Sequence, residues 1–183
     1  MSKIAVFFAE GYEEIEALTV VDLCRRAGIE TLMVGVTDDK CVTGSHKIPV
    51  VMDMGIVDVD FDSLDMIVLP GGMPGTRNLE ACELLMEQVD SFYAQGKGVA
   101  AICAAPSVLG HCGILKGKKA CCYPGFEEHL DGAEVTFDSV EVVDNVITSR
   151  GMGCAISFGL AIVERFVGKD AADKLAEGII YKE

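Results

Sequence analysis

Three largely apolar runs of strand length most strongly limit the folds open to this chain. They are KIAVFFA at 3–9, DMIVLP at 65–70 and KGVAAIC at 97–103. Such continuous apolar runs are typical of strands that are buried on both faces of a sheet. Segments at 11–27 and 77–94, which have the character of helices, lie between them. Strands alternating with helices predict an α/β fold, with a mostly parallel central sheet and helices on both faces.

The rest of the chain contains no repeat, low-complexity tract or linker, which predicts a single domain over residues 1–183. The further predicted elements are strands at 30–36 and 118–124, a polar hairpin at 41–53, a helix beginning in APSVLGHCG, a hairpin at 139–149, and helices at 153–167 and 170–177. Ligands bind such sheets at the carboxyl ends of the strands. The candidate positions therefore follow Ala9, Pro70, Ile102 and Tyr123.

Charge and hydropathy exclude several classes of partner. The formal net charge is −14, which opposes binding to nucleic acid or to an anionic membrane. The apolar stretches are far shorter than the roughly 20 residues that span a bilayer. The opening MSKIAVFFAEGYEE is typical of a strand entering a helix rather than of a secretion signal. We therefore expect a cytoplasmic protein that binds neither nucleic acid nor membrane.

The eight cysteines and three histidines show no zinc-binding spacing, and no two cysteines form a CxxC pattern. A disulfide framework is uncommon in a cytosolic chain, so most of the cysteines are expected to be buried as small apolar residues. The sequence predicts neither a metal site nor a cofactor.

Cys103 is the cysteine whose surroundings point to chemistry. It lies in AAICAAP, residues 100–106, at the predicted junction of a strand and a helix. Ala101, Ala104 and Ala105 suit a tight strand-to-helix turn similar to a nucleophile elbow. A cysteine at a helix N-terminus faces the positive end of the helix dipole, which lowers the pKa of the thiol and favours the reactive thiolate. Two interpretations remain open: a small core residue, or a nucleophile at a sharp turn.

Carboxylates and glycines lie at two other predicted strand ends. Interaction with a helix dipole accounts for most of the carboxylates, which are Glu10, Glu13, Glu14 and Glu16. Glu16 differs because it follows Ile15, close to the apolar face of the helix. Gly71 and Gly72, in LPGGMPG, serve either a turn with positive φ or the approach of a substrate to a backbone N–H. No GxGxxG pattern opens a helix here, which excludes a dinucleotide-binding fingerprint.

Together these segments resemble the ThiJ/PfpI superfamily, in its parkinsonism-associated deglycase or glyoxalase III-like branch. The resemblance covers essentially the whole chain and is carried by EGYEEIEALTVVDLCRRAGI, DMIVLPGGMPGTRNL, GVAAICAAPSVL and ITSRGMGCAISFGLAIVE. It implies a flavodoxin-like α/β sandwich that forms a homodimer, partly through the first helix. It also implies a small-molecule aldehyde, or a glycated protein or thiol, as the substrate.

The resemblance also implies roles for individual residues. Cys103 matches the reactive cysteine of the family, and Glu16 matches the acid that hydrogen-bonds its sulfur. A protonated, desolvated carboxyl group in that place can donate a hydrogen bond to a thiolate. Gly72 and Ala104 match the backbone N–H donors of the oxyanion pocket.

Three more positions complete the implied pocket. Glu13 and Arg150 lie where the family has polar residues that line or brace it. Tyr123 takes the place of a histidine that many members put beside the cysteine, and a phenol with a pKa near 10 is a poor base at neutral pH. His129, six residues further on, could substitute for that histidine only if its loop folded back.

Three functions follow from this reading. The leading hypothesis is a cofactor-free enzyme that acts on 2-oxoaldehydes such as glyoxal and methylglyoxal, or on their early adducts, with Cys103 as the nucleophile. The alternative is a cysteine redox sensor or redox-regulated chaperone without turnover, in which Cys103 is oxidised to a sulfinate held by Glu16. An amidase or peptidase is the second alternative, and Tyr123 weakens it. The same residues serve the first two, so the sequence does not separate them.

Overall fold

The computed structural model describes residues 2–37 and 39–182. Its strands are β1 (Lys3–Phe8), β2 (Glu30–Gly35), β3 (Cys41–Thr43), β4 (Pro49–Val51), β5 (Met54–Gly55), β6 (Met66–Leu69), β7 (Gly98–Ile102), β8 (Lys119–Ala120), β9 (Glu134–Val135), β10 (Val140–Val143) and β11 (Val146–Ser149). Its α-helices are α1 (Glu14–Arg26), α2 (Gly75–Glu80), α3 (Glu83–Ala94), α4 (Pro106–His111), α5 (Ala155–Val167) and α6 (Lys169–Gly178). Short 3-10 helices lie at Ile56–Asp58, Phe61–Ser63, Glu127–His129 and Met152–Cys154.

The main sheet has seven strands in the order β10-β11-β7-β6-β1-β2-β5. All neighbours are parallel except β10, which pairs antiparallel with β11 at one edge. The predicted mostly parallel sheet is therefore confirmed. Val6 on β1 is level with Val68 on β6, and Leu69 on β6 is level with Ala101 on β7. This register brings the carboxyl ends of the three predicted apolar strands to one edge of the sheet.

Two apolar cores lie on opposite faces of this sheet, because successive side chains of a strand point to opposite faces. Phe7 is fully buried in the core that contains side chains of α3 and α4, whereas Phe8 is fully buried in the core that contains side chains of α1 and α5. Each fully buried side chain of this size stabilises the fold by about 1.5–3 kcal/mol. The helices therefore hold the strands from both sides, as the predicted sandwich requires.

The helix predicted over 77–94 is two helices, α2 and α3, which meet at Ala81 and Cys82. Cys82 has an extended backbone, with φ −83° and ψ 96°, and its carbonyl accepts a hydrogen bond from the N–H of Met86 as α3 begins. The apolar pattern continues through this break because both helices bury leucines in the same core. Sequence periodicity therefore gave no sign of the interruption.

The strand predicted at 118–124 is present only at Lys119 and Ala120, which form β8 and pair with β9 outside the main sheet. The N–H of Cys121 donates to the side-chain oxygen of Thr148 at 3.1 Å instead of continuing a ladder. Tyr123 thus follows a loop, and the prediction that it ends a strand is wrong.

The longest helices of the described part of the chain, α1 and α5, have 13 residues each. No helix within residues 2–37 and 39–182 combines the length and apolar character needed to cross a bilayer.

Candidate active site

Cys103 occupies the turn between β7 and α4 in a conformation that few residues adopt. Its φ is 66°, in the left-handed region, which costs a residue other than glycine about 1–3 kcal/mol. Two hydrogen bonds hold it there: its N–H donates to the carbonyl of Ser149 at 2.9 Å, and its carbonyl accepts from the N–H of Tyr123 at 2.8 Å. A cysteine that only filled core space would not need this strained backbone. The geometry is that of a nucleophile elbow.

Glu16 faces Cys103 from the first turn of α1. Its side chain is 1% exposed, and its Oε2 accepts a hydrogen bond from the N–H of Gly71 at 2.9 Å. The carboxyl group also hydrogen-bonds the thiol of Cys103. A carboxylate that only complemented a helix dipole would remain in water. Glu14 is buried as well, but the contact with the thiol distinguishes Glu16 from the other acids of this segment.

Burial sets the protonation of this pair. It raises the pKa of Glu16 to about 7; hydrogen bonds from Cys103 and Gly71 oppose the rise, and the charge of Glu13 adds to it. Burial likewise raises the pKa of the Cys103 thiol to about 12, and the Glu16 carboxylate raises it further as a charge and as an acceptor. Near neutral pH the pair therefore gives up one proton and retains the other.

The prediction that a helix terminus lowers the pKa of Cys103 is wrong. Helix α4 has only six residues and begins at Pro106, three positions beyond the cysteine. The N–H groups of Gly72 and Ala104 hydrogen-bond the sulfur and do lower the pKa of the thiol, but burial and the neighbouring carboxylate outweigh them. The reactivity of this thiol accordingly depends on where the proton of Glu16 resides.

The two glycines after β6 bring backbone N–H groups to the pair because neither position has room for a side chain. A Cβ on Gly71 would lie 2.5 Å from the Cβ of Cys103 and 2.7 Å from Oε2 of Glu16. Gly72 has φ 90°, and a Cβ there would lie 2.4 Å from the N of Glu13. Sequence reasoning considered both glycines, assigned a role in the oxyanion pocket to Gly72 alone, and did not identify the N–H of Gly71 as the donor to Glu16. A buried acid close to a glycine pair was the available signal, since such an acid requires a donor.

These groups open onto a cavity of about 400 Å³ above the thiol. It is lined by Glu13, Glu16, His46, Gly72, Met73, Cys103, Ala104, Tyr123, Phe126 and Met152. Six of the seven predicted site residues are thus brought together. The seventh, Arg150, does not line the cavity. Its guanidinium donates to the carbonyls of Cys122 at 3.5 Å and Phe137 at 3.4 Å and stacks over the Phe137 ring. Arg150 therefore braces the segment that carries Tyr123.

His46 at the mouth of the cavity was missed by sequence reasoning. Glu14, which is 4% exposed, accepts hydrogen bonds from the backbone N of His46 at 2.8 Å, from its Nδ1 at 3.1 Å and from Oγ of Ser45 at 3.2 Å. Although burial opposes ionisation, these bonds hold the pKa of Glu14 below its usual value, and the hydrogen bond to Glu14 raises the pKa of His46. The β3–β4 hairpin is thereby tied to α1.

The same cluster bears on the prediction that the protein has no metal site. Within residues 2–37 and 39–182, Glu13, Glu14 and His46 offer ligand atoms within 4.8 Å of one another, a spacing that could hold a metal ion. The imidazole Nδ1 is already engaged by Glu14 and by the hydroxyl of Ser45 at 3.0 Å. A proton on Nδ1 of His46 therefore satisfies the hydrogen-bonding groups of this cluster in place of a metal ion.

The raised pKa of Glu16 makes the stability of the fold depend on pH. The fold favours the protonated carboxyl, so this contribution is present below pH 4.5 and is lost as the pH rises through about 7. Relative to Glu16→Gln, which cannot ionise, we expect the unaltered protein to lose about 2 kcal/mol of unfolding free energy between pH 5 and pH 8. Urea unfolding of both proteins measures the difference. Parallel pH profiles would contradict the expectation.

Comparison with known proteins shows the family of the chain. The model of the DJ-1/PfpI family matches residues 2–165, a segment that includes the elbow, the buried acid and the glycine pair. The chain belongs to the DJ-1/PfpI family. The resemblance seen in the sequence is thereby confirmed.

Members of the DJ-1/PfpI family align with nearly the whole chain. Protein dj-1beta of Drosophila melanogaster is 36% identical over 183 residues, covering 98% of each protein. A Caenorhabditis elegans protein named glutathione-independent glyoxalase DJR-1.2 is 34% identical over 169 residues, covering 91% of this chain and 89% of that protein. Protein DJ-1 homolog B of Arabidopsis thaliana is 35% identical over 182 residues, and this chain spans 42% of its length.

A solved structure described as Toxoplasma gondii DJ-1, oxidized, superposes on the whole chain. The TM-score is 0.95 with 36% sequence identity, and the alignment covers 100% of both chains. The α/β sandwich with a mostly parallel sheet is therefore the DJ-1 fold.

Proposed function

We propose that the protein is a cysteine-dependent, cofactor-free enzyme that acts on 2-oxoaldehydes such as glyoxal and methylglyoxal, or on their early adducts with amines and thiols. The observation that carries this proposal is the pairing of Cys103 with Glu16, a buried acid whose pKa is about 7. A general acid–base is most effective when its pKa lies near the working pH. The family relative named as a glyoxalase supports the same reaction class.

In the first step the sulfur of Cys103 attacks the aldehyde carbon of the substrate. The thiol proton passes to the Glu16 carboxylate and from there to the carbonyl oxygen, which gives a neutral hemithioacetal. A proton carrier is needed because a thiol with a pKa of about 12 supplies little thiolate at neutral pH. The N–H groups of Gly72 and Ala104 face the sulfur and stabilise the negative charge that develops there and on the neighbouring oxygen.

In the second step the Glu16 carboxylate removes the proton from the former aldehyde carbon, and the electron pair of that bond moves toward the adjacent ketone to give an enediolate. The hydroxyl proton shifts to the ketone-derived oxygen, and the proton held by Glu16 returns to the adjacent carbon, which leaves a 2-hydroxyacyl thioester on Cys103. One carbon is oxidised and its neighbour is reduced by the same electron pair, so the conversion needs no external oxidant. Water then hydrolyses the thioester, releasing a 2-hydroxy acid and restoring the thiol. Methylglyoxal and water thus become lactate.

The proposal is tested by incubating the purified protein with methylglyoxal and measuring both aldehyde loss and lactate formation. We expect turnover in the unaltered protein, and a fall to the uncatalysed rate in Cys103→Ser because the nucleophile is lost. Cys41→Ser, which replaces an exposed cysteine away from the cavity, is the matched control and should retain turnover. Equal lactate formation by Cys103→Ser and the unaltered protein would remove Cys103 from the mechanism.

A redox sensor or redox-regulated chaperone is the second candidate function. The thiol of Cys103 is surrounded by the Glu16 carboxyl group and two backbone N–H groups, donors that would also stabilise the oxygens of a sulfinate. The Toxoplasma gondii relative is described as oxidized. Treatment with peroxide before the methylglyoxal assay separates the candidates. Addition of two oxygens to Cys103, together with no turnover by the reduced protein, would favour the sensor.

We also propose that the protein forms a homodimer through α1. An open apolar concavity of about 560 Å³ includes Ile15, Leu18 and Ile48, and the first and last of these are 49% and 51% exposed. A second copy would remove this surface from water. Sedimentation should give twice the mass of one chain, and Ile15→Glu should give one chain mass. Val57→Glu, at an exposed apolar residue outside this concavity, is the control; a monomeric unaltered protein at micromolar concentration would contradict the dimer.

A further inference from the structure

A second and smaller cavity, of about 120 Å³, shares Met73 and Phe126 with the cavity above Cys103. Two of the three histidines of the chain line it. His111 ends α4, His129 ends the 3-10 helix Glu127–His129, and Glu80 at the end of α2 lies beside them. The proposed enzymatic mechanism uses none of these three residues.

The two imidazoles face each other through one nitrogen each. Nε2 of His111 lies 3.4 Å from Nδ1 of His129, and the rings are nearly perpendicular, at 89°. The opposite nitrogens face carboxylates: Nδ1 of His111 is bonded to Oε1 of Glu80 at 2.5 Å, and Nε2 of His129 lies 3.9 Å from Oε1 of Glu128.

This arrangement determines where the proton of His111 resides. A carboxylate can only accept a hydrogen bond, so Glu80 places a proton on Nδ1 of His111 and leaves Nε2 of His111 as an acceptor. When His129 carries its proton on Nδ1, the two rings share a hydrogen bond at 3.4 Å. When that proton is on Nε2 of His129 instead, both facing nitrogens present lone pairs, and a metal ion can lie between them.

We propose that His111 and His129 bind a zinc ion between these two nitrogens, with water completing its coordination. Zinc binds imidazole nitrogen at 2.0–2.1 Å with tetrahedral geometry, which separates two ligand nitrogens by about 3.3 Å. The observed 3.4 Å matches that separation. Glu80 has the position of the outer carboxylate that usually orients a metal-bound histidine.

Two other groups at or near this cavity do not contribute zinc ligands. Arg77 lines it too, and its positive charge opposes a bound cation and would favour an anion. The thiol of Cys112, next to His111 in the chain, hydrogen-bonds Asp90 and is engaged there. The proposed ion would connect α2, α4 and the 127–129 segment, and it does not depend on the enzymatic activity proposed above.

The test uses the three histidines as separate reporters in NMR spectra of the reduced protein, each assigned by its histidine-to-glutamine variant. Addition of Zn²⁺ should shift the ring signals of His111 and His129 together and leave His46 unchanged. Titration calorimetry should show affinity reduced at least tenfold in His129→Gln and about tenfold in Glu80→Gln, the usual scale for a ligand and its outer partner. His46→Gln, the matched control, should bind as the unaltered protein does.

Three results would overturn the assignment. A shift of His46 alone would place the ion on Glu13 and Glu14. Zinc uptake without a shift of any histidine would place it on thiols. Arg77→Gln separates a cation from an anion: the proposal expects Zn²⁺ to bind more tightly to this variant. If instead inorganic phosphate shifts His111 and His129 and Arg77→Gln abolishes that shift, the cavity is an anion site.

Discussion

Glu16→Gln should lower methylglyoxal turnover by about 10²–10⁴-fold while the chain remains folded. Glutamine has the size of glutamate, and its amide oxygen can still accept the hydrogen bond from Gly71. It cannot carry a proton between sulfur, carbon and oxygen, so the proposed second step fails.

In the same variant, the rate at which iodoacetamide labels Cys103 should change in the opposite direction from turnover. The Glu16 carboxylate raises the pKa of the Cys103 thiol both as a charge and as an acceptor. Its removal should therefore increase the thiolate fraction and the rate at which iodoacetamide labels Cys103 at pH 8. Loss of burial would also lower the pKa of this thiol and speed alkylation, so urea unfolding must show that Glu16→Gln is as folded as the unaltered protein before the faster labelling is assigned to the missing carboxylate.

The control for this variant must remove a carboxylate without disturbing the site. Glu14 is adjacent but unsuitable, because it is buried and holds His46 at the mouth of the cavity. Glu83 is exposed in the first turn of α3 and has the helix-dipole role alone. Glu83→Gln should cost a few tenths of a kcal/mol of stability and leave turnover unchanged. Near-normal turnover in Glu16→Gln would take Glu16 out of the mechanism and favour the redox sensor.

Gly71→Ala should lower turnover by about 10²-fold or more, because the site has no space for the added methyl group. Its Cβ would lie 2.5 Å from the Cβ of Cys103 and 2.7 Å from Oε2 of Glu16, so the thiol and the acid must separate. Overpacking of this kind also lowers the free energy of unfolding by about 1–3 kcal/mol. Kinetics with methylglyoxal and urea unfolding measure the two effects.

Gly178→Ala is the control for the added methyl group. Gly178 ends α6, and a Cβ there would have no neighbour within 4 Å. Turnover should not change, and stability should rise slightly because alanine favours a helix over glycine by up to about 1 kcal/mol. Turnover of Gly71→Ala equal to that of Gly178→Ala would show that the separation of Cys103 and Glu16 does not limit the reaction.

Much of the fold could be predicted because strands buried on both faces must be apolar at consecutive positions. The predicted strands 3–9, 65–70 and 97–103 correspond to β1, β6 and β7 with ends that differ by one residue. The break between α2 and α3 could not be predicted in this way, since leucines on both sides enter the same core. Where the core side chains keep their spacing, a local change in the backbone leaves no trace in the apolar pattern.

The candidate site was predictable to the extent that its residues lie at strand ends. Cys103 follows β7, and Gly72 follows β6. His46 was missed because it lies on a hairpin 32 residues from Glu14, and hydrogen bonds between that hairpin and residues 10–14 bring it to the cavity. Tyr123 does lie at the predicted edge of the sheet, but it follows a loop and not a strand of the sheet. Its N–H donates a hydrogen bond to the carbonyl of Cys103, and this bond holds it in place.

The sequence by itself determined the layers of the fold, the edge of the sheet at which a site could form, and the residues available there, since these follow from local periodicity and from the ends of apolar runs. Tertiary structure alone decided the protonation of Cys103 and Glu16. A pKa depends on burial and on charges a few ångströms away, and the partners come from β6, β7 and α1, which are distant in the chain. The pairing of His111 with His129, 18 residues apart, was decided in the same way.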